Sequence, residues 1–471
     1  MTDGLLVCSN RGPFTYEGSA DAPTGKRGGG GLIGAIAPVL HGTGGTWIAA
    51  PLSDTDRDLA TSARAPEQDG FTLRFVDVPK DLHHLHYDVM SNEVLWFLFH
   101  YLFDVPHSPT FDGDFERAWD GYRRANELFA EVVVATPSDG VLVQDYHLML
   151  VGAAVRARSR AKRPLLYFHH TPWCEPDAYG ILPDDVGRTL LEGLLAYDVV
   201  GFHAERWARA FGACCERFLR GAVFDGSGVT WKRRTTRVVV APVPVDAARL
   251  RAEAAEPDVE SWVASHDALR EGRKLLLRVD RIDLSKNPLR GFLAFEHLLE
   301  RRPELVNEVL FLALLYPSRL SVERYQTYFS ECLGVVRRIN EAWDEKVKSD
   351  VGPVQLLFED DFHRSLGAMR LYDALLVNPV FDGLNLVRKE GAVVNERDGS
   401  VILSRNAGAF EEIGTAVVPV QPFDVPGTAD AIEAALEMTG AEREKRARKL
   451  VKLATRSTPR EWLETQLNAV R

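Results

Sequence analysis

Short apolar or β-branched runs alternate with helical patterns along almost the whole chain, which predicts parallel sheets joined by crossover helices. In the first half the predicted strands are LLVCS, TWIAA, GVLVQDY, PLLYFHH, DVVGFH and RVVVAPV, with helices such as FERAWDGYRRANELFAEVV and AERWARAFGACCERFL between them. A second series opens with KLLLRVD and continues through EVLFLALLYP, PVQLLFE, DALLVNPV, SVILSR and AVVPV. The class is therefore α/β. The restart predicts two doubly wound domains, residues 1–243 and 244–457, joined through the proline-containing stretch APVPVDAARL at 241–250. The amphipathic segment PREWLETQLNAV, within 458–471, is expected to pack back on the first domain.

A length of 471 residues exceeds what one core usually supports, in keeping with two domains. With 45% hydrophobic and 26% charged residues, a mainly disordered chain is excluded. A net charge of −11 argues against general nucleic-acid binding, yet a local group of Arg and Lys can still hold an anionic substrate. Cys8, Cys174, Cys214, Cys215 and Cys332 show no metal-ligand spacing and read as reduced thiols in the cytoplasm. The start MTDGLLVCSNRG lacks a basic leader and a long apolar core, and VLFLALLY is too short to span a membrane, so no export and no membrane anchor are expected. Residues 12–31, GPFTYEGSADAPTGKRGGGG, predict a mobile loop able to cover a substrate.

Two segments carry the strongest candidate chemistry. After KLLLRVD, Arg281 and Lys286 stand at the carboxyl end of a strand, where a fork and a point charge can neutralise an anion; an ordinary salt bridge with Asp280 or Asp283 is the plainer alternative. After DALLVNPVF, the run Asp382-Gly383-Leu384-Asn385-Leu386-Val387 opens a helix whose free amides and dipole favour a diphosphate. Glu390 can accept from ribose hydroxyls and Asp382 from a sugar hydroxyl, or Asp382 can merely cap the helix. In the first half, Asp145 and His147 follow one strand, and His169 and His170 another, with only one of the neighbouring histidines able to face a ligand. No zinc-ligand set is present. The run from Gly29 to Gly34 satisfies GxGxxG, but it does not directly follow the first strand and is not read as a dehydrogenase fingerprint. Asp54-Thr55-Asp56 does not complete a phosphatase nucleophile motif.

Taken in order, SNR at 9–11, the glycines before Leu32, SNEVLWFLFHY, AWDGYRRAN, QDYHL, HHTPW, DVVGFH, DRIDLSKN, YPSR, DGLNLVRKE and LSRNAGA resemble the trehalose-6-phosphate synthases across nearly the whole chain. That resemblance implies the GT-B fold, two Rossmann-like domains with the active site in the cleft between them. It also implies transfer of glucose from a nucleoside-diphosphate glucose, GDP-glucose or UDP-glucose, to glucose 6-phosphate, by front-side displacement with the anomeric configuration retained. Carried over by position, Arg11, Tyr87, Trp96, Asp145 and Arg319 would bind the acceptor. Gly30, Gly31, His170, Arg281, Lys286, Phe362, Asp382, Gly383, Leu384, Asn385, Leu386, Val387 and Glu390 would bind the donor. Catalysis would rest on Arg281, Lys286, His170, Asp145 and Asp382, with no protein nucleophile, no metal and no cofactor.

The resemblance is imperfect at Gln144, Thr171, Leu284, Asn287, Phe381 and Gly391, mostly flanking the donor, so the base is left open. Two other readings stand beside the synthase: a pseudo-glycosyltransferase coupling an aminocyclitol phosphate to an activated cyclitol, and an inactive sugar-phosphate sensor. Oligomeric state is open, with a homo-oligomer among the partner classes.

Overall fold

The computed structural model describes residues 4–28, 31–41, 43–62, 65–160, 163–319 and 322–470. The chain divides into two units, Met1–Val243 with Pro459–Arg471, and Pro244–Thr458. In the first unit the strands are β1 (Leu5–Cys8), β2 (Phe14–Ser19), β3 (Ala22–Arg27), β4 (Thr46–Ala49), β5 (Glu67–Gln68), β6 (Phe71–Phe75), β7 (Gly140–Gln144), β8 (Leu165–Phe168), β9 (Val199–Phe202), β10 (Val223–Phe224), β11 (Gly228–Trp231) and β12 (Arg234–Val240). Among the described residues ten of them form one sheet, ordered β10-β11-β12-β9-β8-β7-β1-β4-β6-β5. Its central strands are parallel and buried on both faces, so they read as continuous apolar runs rather than as alternation.

From β1 the chain builds outward through β4 and β6, then returns to pair β7 against the other side of β1. That reversal opens a crevice at the carboxyl ends of β1 and β7, the place where doubly wound sheets bind ligands. The C-terminal helix Pro459–Asn468 belongs to this unit: Trp462 Nε1 donates to Ala241 O at 3.0 Å, and its ring lies 5.0 Å from Phe168.

Residues 14–27 do not form the expected mobile loop. They make the antiparallel hairpin β2–β3, tied down by the helix Asp54–Thr61. Buried Asp56 accepts from the amides of Tyr16, Leu52 and Ser53, while Ser53 and Thr55 hydroxyls donate to Tyr16 O and Gly18 O. The acidic LSDTD run therefore anchors the hairpin and caps its own helix.

In the second unit the strands are β13 (Lys274–Arg281), β14 (Val309–Tyr316), β15 (Val354–Phe358), β16 (Ala374–Val377), β17 (Ser400–Ser404) and β18 (Val418–Val420). They form a fully parallel sheet ordered β15-β14-β13-β16-β17-β18. Here the order reverses between β13 and β16. Phe292, Phe295, Leu298, Phe311, Ile339 and Ile432 lie in the core that backs this sheet.

Candidate active site

In the first unit the crevice is bordered by the turns after β1 and β7. Ser9 Oγ donates to Arg11 O at 2.7 Å and accepts from Trp47 Nε1 at 2.7 Å, so the SNR turn is braced from below while Arg11 is exposed. After β7, Asp145 has φ 70° and ψ 168°, a conformation that only glycine adopts freely and that costs other residues about 1–3 kcal/mol. Five hydrogen bonds onto the next turns hold it there. Tyr122 Oη donates to Tyr146 O (2.6 Å) and accepts from Met149 N (3.2 Å). Asn126 donates to His147 O (3.0 Å) and accepts from Leu150 N (3.1 Å), and His86 Nε2 donates to His147 O (2.9 Å). At about 1 kcal/mol each, these bonds outweigh the strain.

Tyr122 and Asn126 lie on the helix Gly113–Ala135, and His86 on the π-helix His84–Leu95. The two helices touch through Gly121, where a Cβ would lie 2.6 Å from Leu85 Cβ. This explains AWDGYRRAN physically: glycine admits the neighbour, and Tyr and Asn one turn apart grip the QDYHL turn. Sequence reasoning missed Tyr122, Asn126 and His86 as site-building residues, although the spacing of Tyr122 and Asn126 on one helix face was a readable signal.

The same π-helix carries Tyr87, whose ring lies between His83 (5.2 Å) and His147 (5.6 Å, nearly parallel). Trp96 is buried and stacks on His100 at 3.9 Å. The neighbouring histidines divide as expected. His169 is consumed by Tyr167, Thr171 and Pro172, and burial pushes it down to about 3. His170 is half-buried, takes Asp145 Oδ1 on its backbone amide at 3.1 Å, and places Nε2 2.7 Å from Gln144 Oε1.

In the second unit the edge at β13 and β16 is built from buried ions. Arg278 and Asp280, on one face of β13, pair at 2.9 Å, and Arg278 also donates to Asn378 and Lys286 O. Burial raises Asp280 to about 6 against the opposing pull of Arg278 and Lys286. Asp283, fully buried, accepts from the amide and hydroxyl of Ser285 and from Arg319 Nη1 at 2.5 Å. Arg319 also donates to Tyr325 Oη at 3.3 Å.

Lys286 is ion-paired with Asp382, which in addition accepts from Leu384 N and Asn385 Nδ2, both at 3.3 Å. The plainer alternative is realised with a different partner: Lys286 pairs with Asp382 rather than Asp280 or Asp283, and Asp382 shapes its own turn while Leu386, not Asp382, stands at the helix start. Arg281 is half-buried at the end of β13. Gly383, Leu384 and Asn385 are buried, with Asn385 at φ 74°; Leu386 and Val387 are half-buried where the helix Val387–Val394 starts.

Within LVRKE, Arg388 and Lys389 point away from the nucleotide role given to the segment. Both are buried against Glu412, which leaves Leu386, Val387 and Glu390 as the half-buried part of the run. Glu390 is half-buried and raised to about 7, first by burial and then by Glu253. Phe362 is exposed at the start of its helix. Gly30 lies outside the described residues, and Gly31 is the first residue of the helix Gly31–Leu40.

Two departures from the synthase pattern have a structural reason. Asn287 has φ 62°, a left-handed position that asparagine tolerates better than most residues, and its amide bridges Asn378 O and Pro422 O. At Gly391, a Cβ would lie 3.0 Å from Leu375 and 3.3 Å from the Tyr372 ring, so Tyr372 fills the space an aromatic would need. Among the described residues no group of three or more His, Cys, Asp or Glu could hold a metal ion, and no helix is long and apolar enough to cross a membrane.

Comparison with known proteins adds the following. The family model described as glycosyltransferase family 20 matches residues 4–471. An α,α-trehalose-phosphate synthase (UDP-forming) from Aspergillus fumigatus is 33% identical over 97% of this chain and 95% of its own length. A Burkholderia xenovorans α,α-trehalose-phosphate synthase (UDP-forming), solved in complex with glucose-6-phosphate, superposes with a TM-score of 0.87 at 27% identity, covering 99% of this chain and 100% of that one. An E. coli trehalose-6-phosphate structure bound with UDP-2-fluoro glucose gives 0.86 at 27% identity, covering 99% and 98%.

Proposed function

Because this chain belongs to glycosyltransferase family 20, we propose that it is a trehalose-6-phosphate synthase, a retaining hexosyltransferase that joins glucose from UDP-glucose to glucose 6-phosphate. The bond from the donor's anomeric carbon to the diphosphate breaks, a bond to the acceptor's anomeric oxygen forms on the same face, and the acceptor's proton leaves with UDP. The observation that carries this reading is the pairing, at one strand-order reversal, of the DRIDLSKN and DGLNL turns.

An ammonium has three donors. Asp382 can therefore orient Lys286 with one of them while the others meet phosphate oxygens, and Arg281 at the strand end adds a second cation. Fixed charges of this kind stabilise a departing diphosphate without rearranging, so we assign that task to Arg281 and Lys286 and require neither metal nor cofactor. Glu390 is assigned to the ribose, and Arg11, Tyr87, Trp96, Asp145 and Arg319 to the acceptor. Arg319 is held in place by Asp283 and Tyr325. UDP-glucose is preferred over GDP-glucose because the relatives named above are UDP-forming. All five cysteines are free and buried, which supports a reducing cytoplasmic setting.

The test is incubation of the purified chain, with and without a chelator, with glucose 6-phosphate and either donor. Trehalose 6-phosphate and UDP are expected in both conditions; no trehalose 6-phosphate from either donor would overturn the reading.

A further inference from the structure

Gln144 is the last residue of β7, in register with Phe168 of β8, and is fully buried. Its Oε1 lies 2.7 Å from Nε2 of His170. A carboxamide oxygen can only accept, so an imidazole facing it must donate from Nε2 and keep its lone pair on Nδ1. The main chain at His170 is fixed independently by its amide bond to Asp145 Oδ1, and the ring is flanked by Phe168 at 4.8 Å and His203 at 5.1 Å.

We propose that Gln144 is a positioning residue that holds His170 as the Nε2–H tautomer, leaving Nδ1 as an acceptor for a sugar hydroxyl. The proposal rests on the trehalose-6-phosphate synthase reading, in which the family resemblance places His170 at the donor. The titratable groups around the ring are Asp145, His169 and His203. Burial pushes His170 down to about 3, so the ring stays neutral through the physiological range and cannot act there as an acid. A carbonyl-facing, neutral imidazole accepts from a hydroxyl and rejects a group with no proton to offer. Gln144 thereby acts on substrate choice through His170.

The opposite amide orientation would turn the Gln144 NH2 toward Nε2 and reverse the tautomer, and this makes the proposal testable in the full chain labelled with 15N-histidine. The His170→Gln variant identifies the relevant signals. A protonated Nε2 and an unprotonated Nδ1 are expected, unchanged from pH 5 to 9. In Gln144→Leu the two tautomers should mix and the KM for UDP-glucose should rise about tenfold, while the KM for glucose 6-phosphate holds. Gln144→Glu keeps an acceptor at Nε2, so it should retain the tautomer and most of the activity. Its negative charge should also bring the His170 titration upward into the measured range. A protonated Nδ1 in the wild-type chain overturns the proposal, as does wild-type behaviour of a folded Gln144→Leu chain in spectrum or kinetics. Should that variant fail to fold, the wild-type spectrum and Gln144→Glu decide. A wild-type chain that makes no trehalose 6-phosphate defeats the functional reading instead, and the tautomer measurement remains interpretable.

Discussion

The two units solve the same problem, presenting polar groups at a strand-order reversal, with opposite materials. The first uses neutral hydrogen bonds: Tyr122, Asn126 and His86 clamp the strained turn at Asp145, and His169 and His170 are kept uncharged by burial. The second uses buried ions: Arg278 with Asp280, Arg319 with Asp283, Lys286 with Asp382, and Arg388 and Lys389 with Glu412. A neutral clamp tolerates changes of pH and loses modest energy when cut. A buried ion pair titrates, and cutting it leaves an uncompensated charge. This contrast fits the proposed assignment of the leaving diphosphate to Arg281 and Lys286 in the second unit.

The comparison can be broken at its strongest point first. Replacing both Arg281 and Lys286 by alanine should reduce turnover at least about a thousandfold with both substrates saturating, because developing charge on the diphosphate loses its fixed partners; steady-state kinetics reads this. Next, Arg278→Met strands Asp280 in the second unit and should cost about 3–5 kcal/mol of stability, seen as a lower denaturation midpoint. The corresponding cut in the first unit, Tyr122→Phe, removes one donor and one acceptor and should cost only about 1–3 kcal/mol. Finding the Tyr122 change to be the costlier of the two would invert the contrast. Asp145→Gly sharpens it: relief of backbone strain should offset the lost acceptor of the His170 amide, so stability should change by less than about 1 kcal/mol while the KM for glucose 6-phosphate rises.

The smallest effect expected is on pH. Glu390 is raised to about 7 from the usual glutamate value of about 4.3. Its protonation therefore favours the folded form below the unfolded value, and that contribution is lost as pH rises through 7. With Glu390 at the ribose as proposed, the ionised form accepts from its hydroxyls, so the KM for UDP-glucose should fall over the same interval. Glu390→Gln should flatten both slopes in a denaturation series and a kinetic series from pH 5 to 8.

Much of the frame was legible because it rests on short-range patterning. KLLLRVD and VLFLALLY are apolar over a strand's length because parallel strands are covered on both faces, and each restarts a β-helix-β unit. Arg281, Lys286 and Asp382 stood out as candidates because they follow apolar strand runs, and the structure places them at or just after the ends of β13 and β16. The hairpin at 14–27 was not legible. Its outer strand β3 is largely exposed, its composition is that of a loop, and its anchor Asp56 lies 40 residues beyond Tyr16.

What the sequence alone determined is thus the α/β class, the two strand series and the residue types that border each reversal. Tertiary structure decided which of those residues remain available to a ligand. Asp56, Arg388, Lys389 and His169 carry the same chemistry as their neighbours on the chain, yet each is buried and consumed by a partner within the fold. Asp145 acquired a glycine-like backbone that no local preference would select, because hydrogen bonds from helices distant in the chain repay its strain. Patterning acts over a few residues and specifies elements, whereas burial and pairing of polar groups depend on which elements meet.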